Sequence, residues 1–190
     1  MKIATPSAYF LYPVDWSKEP KLKRAWMTNV LSGLVGNEQR SKLKHNLTRT
    51  LVFTVVTDGE VMTRELKKRL RIFMPEIWGV AIPQYRMKIT QLCVIGTNTL
   101  YVDSTVGCEL SYFDSVLIGR WSGYEFQNVS NFTGTTITTR DTLIDAWYPG
   151  NFVYPVMRGL LADVQEFTHI SPDHFEGEFT FVESFVWESD

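Results

Sequence analysis

Hydrophobic and polar positions alternate, or apolar residues run together, for strand length through most of the chain. The alternation is clearest near the end, where Phe179 and Phe181 fall on one side with Glu183, and Glu178 and Thr180 fall on the other. A period of two places successive side chains on opposite faces of a strand. Segments that predict strands in this way lie at 26–32, 48–57, 87–92, 99–103, 115–121, 124–129, 133–139, 151–161 and 177–187.

One segment, 61–73, has a helical period instead. Its apolar stripe consists of Val61, Met62, Leu66, Leu70 and Phe73, and its basic residues lie mostly off that stripe. The pattern predicts an amphipathic helix that ends at the Met-Pro pair of residues 74–75. The following segment, 75–83, has a proline at each end and Trp78 and Gly79 between them, and it predicts a rigid loop.

Many short strands and one early helix predict an α+β fold that is predominantly antiparallel β, as a β-sandwich or split barrel flanked by one helix. The chain has 190 residues, of which 44% are hydrophobic, so we expect a single domain over 1–190. The aromatic segment 9–16 predicts an N-terminal arm or edge strand within about residues 1–20. Its aromatic side chains pack either into the chain's own core, which we favour, or against a neighbouring subunit.

The segments 26–32 and 48–57 are predicted to pair as a projecting hairpin over about 26–57, because residues 33–37 include the glycines that a chain reversal needs. The tip of this hairpin carries Glu38, Gln39, Arg40, Lys42 and Lys44. So many charged side chains do not bury themselves in their own core. The tip is therefore either a solvated loop or a contact surface.

The order of elements around this hairpin resembles a family of tail proteins of long-tailed bacteriophages. Gly36, Glu38, Gln39 and Arg40 match the turn of that family, written G-x-E-Q-R, and Arg49 matches the arginine before its second strand. A helix, a loop with proline and tryptophan, and alternating strands follow in the same order over nearly the whole chain. The family often has a Pro-Arg-Arg-like sequence where this chain has Asn-Leu-Thr-Arg at 46–49.

The resemblance implies a fold like that of tail tubes and a structural role in the virion. The chain would be a minor tail, distal tail or baseplate subunit that is made in the bacterial cytoplasm, assembles as a ring, and links the tail tube to the tip or fibres. Its partners would be further copies of itself and other tail proteins, including tube, hub or fibre. The interaction residues would be Glu38, Gln39, Arg40, Lys42 and Arg49. No catalytic residue, metal or cofactor is implied.

The charge is distributed unevenly along the chain. Residues 1–88 contain 16 of the 19 Lys and Arg and have a net charge of +9, whereas residues 89–190 have a net charge of −11. Such asymmetry points to contact between the basic half and an acidic surface, which is either nucleic acid or the acidic face of another subunit. A third interpretation is that both sets of charges are solvated and mixed in space.

Nucleic-acid binding is therefore an alternative function. The segment 18–49 has eight Lys or Arg, with Trp16, Trp26 and His45 close to them, and these are the residue types that contact phosphates and stack on bases. Against this alternative, the pI of about 5.9 is acidic and no nucleic-acid-binding motif is recognisable. We therefore keep it as the second hypothesis.

Sequence motifs for enzymatic chemistry are missing. The chain has no phosphate-binding loop, dinucleotide fingerprint or G-x-S-x-G elbow, and the spacing of His169 and His174 fits no common zinc motif. A glycosidase would need two carboxylates, and Asp114, Glu125, Asp141 and Asp145 could supply them. Acidic residues are so common in this chain that their presence does not distinguish a glycosidase from a protein without this activity. We expect a protein that is not an enzyme, and a glycan-binding or glycan-cleaving role is the less favoured alternative.

The cellular compartment is inferred from two further features. No apolar run reaches the ~20 residues of a membrane helix, and the first ten residues have no sustained apolar stretch, so we expect neither a membrane partner nor a signal peptide. Cys93 and Cys108 lack the C-x-x-C spacing of a zinc site and are expected to be ordinary thiols, with a disulfide as the alternative if their strands are adjacent.

Overall fold

The computed structural model describes residues 2–3, 6–25, 28–32, 38–42, 48–74, 76–110, 114–120, 122–162, 167–171, 173–184 and 187–188. These residues form one helix, α1 (Glu60–Phe73), a short 3-10 turn (Pro83–Tyr85) and sixteen strands. The strands are β1 (Lys2–Ile3), β2 (Ala8–Phe10), β3 (Lys21–Ala25), β4 (Thr28–Ser32), β5 (Glu38–Lys42), β6 (Thr48–Asp58), β7 (Trp78–Ala81), β8 (Met87–Lys88), β9 (Thr99–Tyr101), β10 (Ser115–Arg120), β11 (Gly123–Phe132), β12 (Thr136–Thr139), β13 (Phe152–Leu161), β14 (Phe167–Ser171), β15 (His174–Glu183) and β16 (Trp187–Glu188).

Most strands belong to one open sheet with the order β3-β6-β15-β13-β10-β11-β12-β9, to which β2, β7, β8 and β14 are added beside this path. All pairs in it are antiparallel except β2 with β7. The predicted α+β class with mainly antiparallel sheet is confirmed. β1 and β16 form a separate pair, as do β4 and β5.

Strand β13 divides the sheet into two parts. Its first residues pair with β8 and β10, and its last residues pair with β7 and β15. We call α1 with β2, β3, β6, β7, β14 and β15 the helical half, and β8 to β12 with the loops between them the loop half. The loop half returns on itself in part, because Ile89 bridges to Val102 beyond the end of β9.

The core of the helical half is aromatic. The ring of Phe10 has five aromatic neighbours at centroid distances of 5.0–5.8 Å, which are Tyr12, Phe53, Trp78, Phe179 and Phe181. The predicted helix covers this core with buried Met62, Leu66 and Leu70. Val61 was assigned to the same stripe, but it lies in the first turn and is 74% exposed.

The N-terminal segment joins this core as an edge strand. β2 pairs only with β7 among the described strands, and beyond it Val14 bridges to Val55 on β6. Phe10 and Tyr12 are buried, so packing of the aromatic segment into the chain's own core is confirmed for these residues. Trp16 differs from them because its side chain is 53% exposed.

The loop predicted over 75–83 is wrong, because Trp78–Ala81 is strand β7. This strand lies between β2 and β13 and all four of its residues are buried, so it has no polar face to give an alternating pattern. Gly79 is required there, since an added Cβ would lie 2.6 Å from the Tyr9 ring.

The strand pairing predicted for the hairpin is also wrong. β4 pairs with β5, from Thr28 opposite Lys42 to Ser32 opposite Glu38, and β6 pairs with β3 instead. The residues Glu38 to Lys42, which were predicted to form the tip, therefore lie in a strand. A polar segment can form a strand because the backbone hydrogen bonds between two strands require no apolar side chains. The two pairs are nested in sequence, and we call them together the basic ribbon. The predicted turn 33–37 and Lys44 lie outside the described residues.

Candidate functional site

Arg49, a predicted interaction residue, forms an internal ion pair. It lies on β6, and its Nε and Nη2 donate to Oε1 of Glu183 on β15 at 2.8 and 2.5 Å. The backbone N–H of Arg49 donates to the other carboxylate oxygen at 2.9 Å. Glu183 is buried, and a buried carboxylate needs such a partner. Arg49 therefore joins the start of β6 to the end of β15 through side chains, in addition to the backbone pairing of these two strands.

A second glutamate supports this pair. Arg24 on β3 lies directly opposite Arg49, which places two like charges side by side. Glu109 compensates for them, because it forms an ion pair with Arg24 and lies 3.8 Å from Nη1 of Arg49. Arg24 also donates to the Tyr85 hydroxyl at 2.7 Å. These contacts attach the base of the ribbon to the loop half.

The other predicted site residues, Glu38, Gln39, Arg40 and Lys42, all lie on β5. Their backbone pairs with β4 in a two-stranded sheet that is separate from the sheet containing Arg49. Backbone pairing therefore does not bring these four residues together with Arg49. They form one strand of the basic ribbon.

A cavity that the sequence did not predict lies beside the N-terminal segment. It has a volume of about 240 Å³, and its lining includes Leu11, Val14, Trp16, Arg86, Arg120 and Tyr154. The guanidinium of Arg86 lies 5.2 Å from the Trp16 ring and 5.0 Å from the Phe152 ring, within cation–π range. Neither Arg86 nor Arg120 has an ion-pair partner among the described residues. We call this site the arginine cavity.

The position of Arg120 depends on the glycine before it. Gly119 has a φ of 108°, and an added Cβ would lie 2.4 Å from the carbonyl oxygen of Gly123 and 2.7 Å from the Trp147 ring. Only glycine fits this conformation. The change in backbone direction at the end of β10 allows Arg120 to line the cavity together with Tyr154. Burial raises the pKa of Tyr154, so its hydroxyl stays neutral near pH 7.

These properties define what the arginine cavity can bind. Its volume is below the roughly 300–1,000 Å³ of small-molecule sites, and it is large enough for one side chain. Two cations beside apolar and aromatic walls favour an apolar group that is accompanied by a carboxylate. Sequence reasoning missed Arg86 and Arg120 because the cavity is assembled from separate segments, and of its lining only the aromatic segment containing Trp16 had a visible pattern.

The carboxylate of Glu125 has a structural role. It is buried and accepts hydrogen bonds from Gln127 Nε2 at 2.6 Å, from the Ile144 N–H at 2.8 Å, from the Asp145 N–H at 3.2 Å and from Trp147 Nε1 at 2.8 Å. A carboxylate with four donors is already satisfied. It therefore holds the loop after β12 and is not arranged as a glycosidase acid.

The remaining candidate groups are two cysteines and a histidine. Cys93 and Cys108 are buried free thiols, which confirms the prediction of ordinary thiols, and burial raises the pKa of both. His174 lies 3.4 Å from the Asp58 carboxylate. Across the part of the chain that the structure describes, no cluster of three or more His, Cys, Asp and Glu could hold a metal ion.

Comparison with known proteins adds no family. A scan of protein-family models finds no match to the chain, and no curated protein is similar to it. The one described helix is too short and too polar to cross a membrane.

Proposed function

We propose that the chain is a non-enzymatic structural subunit of a bacteriophage tail: a minor tail, distal tail or baseplate protein that assembles as a ring and links the tail tube to the tip or fibres. The sequence resemblance motivates this proposal. The structural observation that supports it most is the β4–β5 pair, which carries the G-x-E-Q-R residues Glu38, Gln39 and Arg40 and belongs to a sheet of its own.

The ribbon suits a contact arm because its base is fixed. Arg49 and Glu183 join β6 to β15, and Arg24 and Glu109 join β3 to the loop half. A contact element whose base is held in one conformation loses less entropy on binding than a free loop does. In this proposal β5 meets a neighbouring subunit, and Arg49 holds the arm in place.

Two contacts in the rest of the fold support a split barrel flanked by α1, which is one of the two architectures that the strand pattern predicts. In the helical half, Val14 bridges to Val55, and in the loop half, Ile89 bridges to Val102. Each of these two bridges pairs a segment at an edge of the sheet with another strand segment of the same half. An edge that is partly paired in this way leaves fewer backbone groups free to associate nonspecifically, which suits a subunit that must assemble in one defined arrangement.

The ion pairs argue against the nucleic-acid alternative. Five cations of the basic half face carboxylates within the chain, and the pairs are Lys18–Glu176, Arg24–Glu109, Arg49–Glu183, Arg64–Glu60 and Arg69–Glu65. Cations that are neutralised in this way release few counterions from DNA. Retention on DNA that falls steeply with salt would favour the alternative.

The test of the tail proposal is incorporation into particles. Arg40→Glu reverses a charge on β5, and Lys68→Glu makes the same change in charge on the exposed face of α1. We expect both variants to fold, and we expect only Arg40→Glu to be depleted from purified virus particles, as measured by peptide mass spectrometry. Absence of the wild-type chain from the particles would refute the tail proposal. Normal incorporation of Arg40→Glu would show that β5 is not part of the interface between subunits.

A further inference from the structure

A group of exposed apolar side chains lies on two loops of the loop half. Ile144 is 75% exposed, although it is a large aliphatic residue. The group consists of Leu92, Val94, Ile95, Ile144 and Tyr148, and we call it the loop patch. Single exposed apolar residues are common, but a cluster with a polar rim marks an interaction surface.

The two loops are held in one arrangement by backbone hydrogen bonds. Cys93 and Trp147 exchange a pair of them at 2.9 Å, and the Leu143 N–H donates to the Thr97 carbonyl at 2.7 Å. Glu125 binds the second loop from inside through the bonds described above. The exposure of Ile144 is therefore a property of an ordered loop, and its side chain is presented to solvent in a preorganised position.

Two exposed carboxylates lie close in sequence to Ile144 of the loop patch. Asp141 and Asp145 flank Ile144 in sequence and are both exposed. Neither has an ion pair with another described residue. An apolar side chain with carboxylates near it in sequence is the chemistry that suits the arginine cavity, where Arg86 and Arg120 lie beside apolar walls without an ion-pair partner among the described residues.

We propose that the loop patch of one copy docks into the arginine cavity of a second copy of this chain. Ile144 enters between Trp16 and Tyr154, and the two aspartates face Arg86 and Arg120. This inference rests on the proposed function in one respect, since it supplies a contact between neighbouring copies in the ring.

A chain does not fill its own cavity in this arrangement. Val116 and Ile118 of β10 pack into the same core as Trp147, which belongs to the patch loop, whereas Leu117 packs with Tyr154 of the cavity on the other face. The patch and the cavity are thus different surfaces on opposite sides of β10. A contact between two different surfaces is heterologous, and it builds rings when the rotation closes and filaments when it does not.

The first experiment measures the mass of the purified full-length chain by light scattering over a range of concentrations. We expect the wild type to grow beyond a dimer, and Ile144→Asp and Arg120→Glu each to weaken association by about tenfold or more. The matched controls are Val61→Asp, at a residue of similar exposure, and Lys68→Glu, with the same change in charge. Both controls should associate as the wild type does. Circular dichroism and urea midpoints equal to wild type show that all four variants fold.

Mixing the two interface variants gives a sharper result. The Ile144→Asp chain keeps an intact cavity, and the Arg120→Glu chain keeps an intact patch. An equimolar mixture should therefore form a heterodimer and stop at that size. A mixture that remains monomeric overturns the docking proposal, as does a wild type that is monomeric at its highest soluble concentration.

The failure of this inference is distinguishable from failure of the tail proposal. A chain that is monomeric in solution and present in virus particles refutes the docking proposal alone. A chain that oligomerises through the patch and is absent from virus particles refutes the tail proposal alone. Loss of binding on a glycan array in Arg120→Glu, with unchanged assembly, would assign the cavity to sugars and overturn self-docking.

Discussion

The two halves of the molecule bury their cores by different means. In the helical half, helix α1 covers a cluster of aromatic rings centred on Phe10. In the loop half the buried residues are mostly aliphatic, and the long connections between the strands are held by polar anchors, chiefly the buried carboxylate of Glu125. Ring burial stabilises regular elements, whereas hydrogen bonds to a buried charge stabilise an irregular loop.

This difference explains where the candidate surfaces lie. A loop that is held by a buried carboxylate keeps its shape without burying its own side chains, so Ile144 and Tyr148 remain exposed. In the helical half, by contrast, the large side chains of Phe10, Phe179 and Phe181 are buried because they form the core. The loop half therefore presents the exposed patch, and the helical half supplies the stable base of the ribbon.

Several contacts join the halves into one unit. β13 belongs to both, and Arg69 of α1 donates to the Tyr9 carbonyl at 3.3 Å and to the hydroxyl of Tyr124 on β11 at 3.1 Å. A small third core forms around Leu117 and Val156 between them. We therefore expect the halves to unfold together.

The largest expected effect is that of Phe10→Ala. Removal of a fully buried ring leaves a cavity among its aromatic neighbours and should lower the free energy of unfolding by about 3–5 kcal/mol. Urea unfolding measures the loss. Hydrogen exchange of peptides from β9 to β12 should rise together with that of peptides from α1, because the halves share β13.

Trp16→Ala is the control for Phe10→Ala, since this aromatic residue of the same segment is largely exposed and should cost under about 1 kcal/mol. If hydrogen exchange in Phe10→Ala rises in α1 and stays unchanged in β9 to β12, the two halves unfold independently of each other.

The next effect is that of Arg49→Ala, which leaves the buried carboxylate of Glu183 without its cation. Loss of one partner of a buried pair costs about 3 kcal/mol or somewhat more, and the remaining backbone N–H offsets only part of that loss. Arg64→Ala is the matched control, because it removes an arginine from an exposed pair within α1, worth about 0.3–0.5 kcal/mol. Equal midpoints for the two variants in urea would show that the ribbon is not anchored in this way.

Much of the helical half was predictable from the sequence. The stripe over 61–73 predicted the helix, and the alternation after Gly177 predicted the strand β15 with Glu183 on the same face as Phe179 and Phe181. The burial of Glu183 was not predicted. Strand β7 was missed because both of its faces are buried, so it has no alternation to detect. The pairing of β4 with β5 was missed because β5 is polar throughout and is recognised only by its backbone partner.

The candidate surfaces were far less predictable. Arg86 and Arg120 are separated in sequence, and both line the cavity only in the folded chain, where Gly119 before Arg120 has a positive φ. Glu125 alternates with its neighbours in an ordinary strand pattern, and nothing local marks it as the anchor of a loop about twenty residues later. Contacts between distant segments leave no periodic signal in the chain.

Glu125→Gln tests the polar anchor of the loop half. The amide keeps the shape of the side chain but replaces one accepting oxygen with a donor, so two of the four hydrogen bonds are lost or opposed. We expect a loss of about 2 kcal/mol in the free energy of unfolding and faster hydrogen exchange in residues 141–148. The control is Glu178→Gln on the exposed face of β15. Unchanged exchange in this loop would show that Glu125 does not hold it.

The smallest effect concerns the hydroxyl of Tyr12 in the aromatic core. Burial raises the pKa of Tyr12 to about 12 from 10.0, because the ionised phenol loses its hydration in the folded chain. Below pH 10 the phenol is neutral in both states, so the stabilisation is fully present. As the pH rises towards 12 the unfolded chain releases its proton first, and this contribution is lost. Between pH 10 and pH 11 the loss should be about 1 kcal/mol.

A variant without the phenol hydroxyl tests this pH dependence. Tyr12→Phe removes the ionisable group, so the variant should lose about 1 kcal/mol less than the wild type between pH 10 and pH 11, as measured by urea unfolding at each pH. Tyr148→Phe is the control for the removal of a tyrosine hydroxyl at an exposed position. If Tyr12→Phe and the wild type lose the same stability between pH 10 and pH 11, ionisation of Tyr12 does not contribute to alkaline unfolding of the chain.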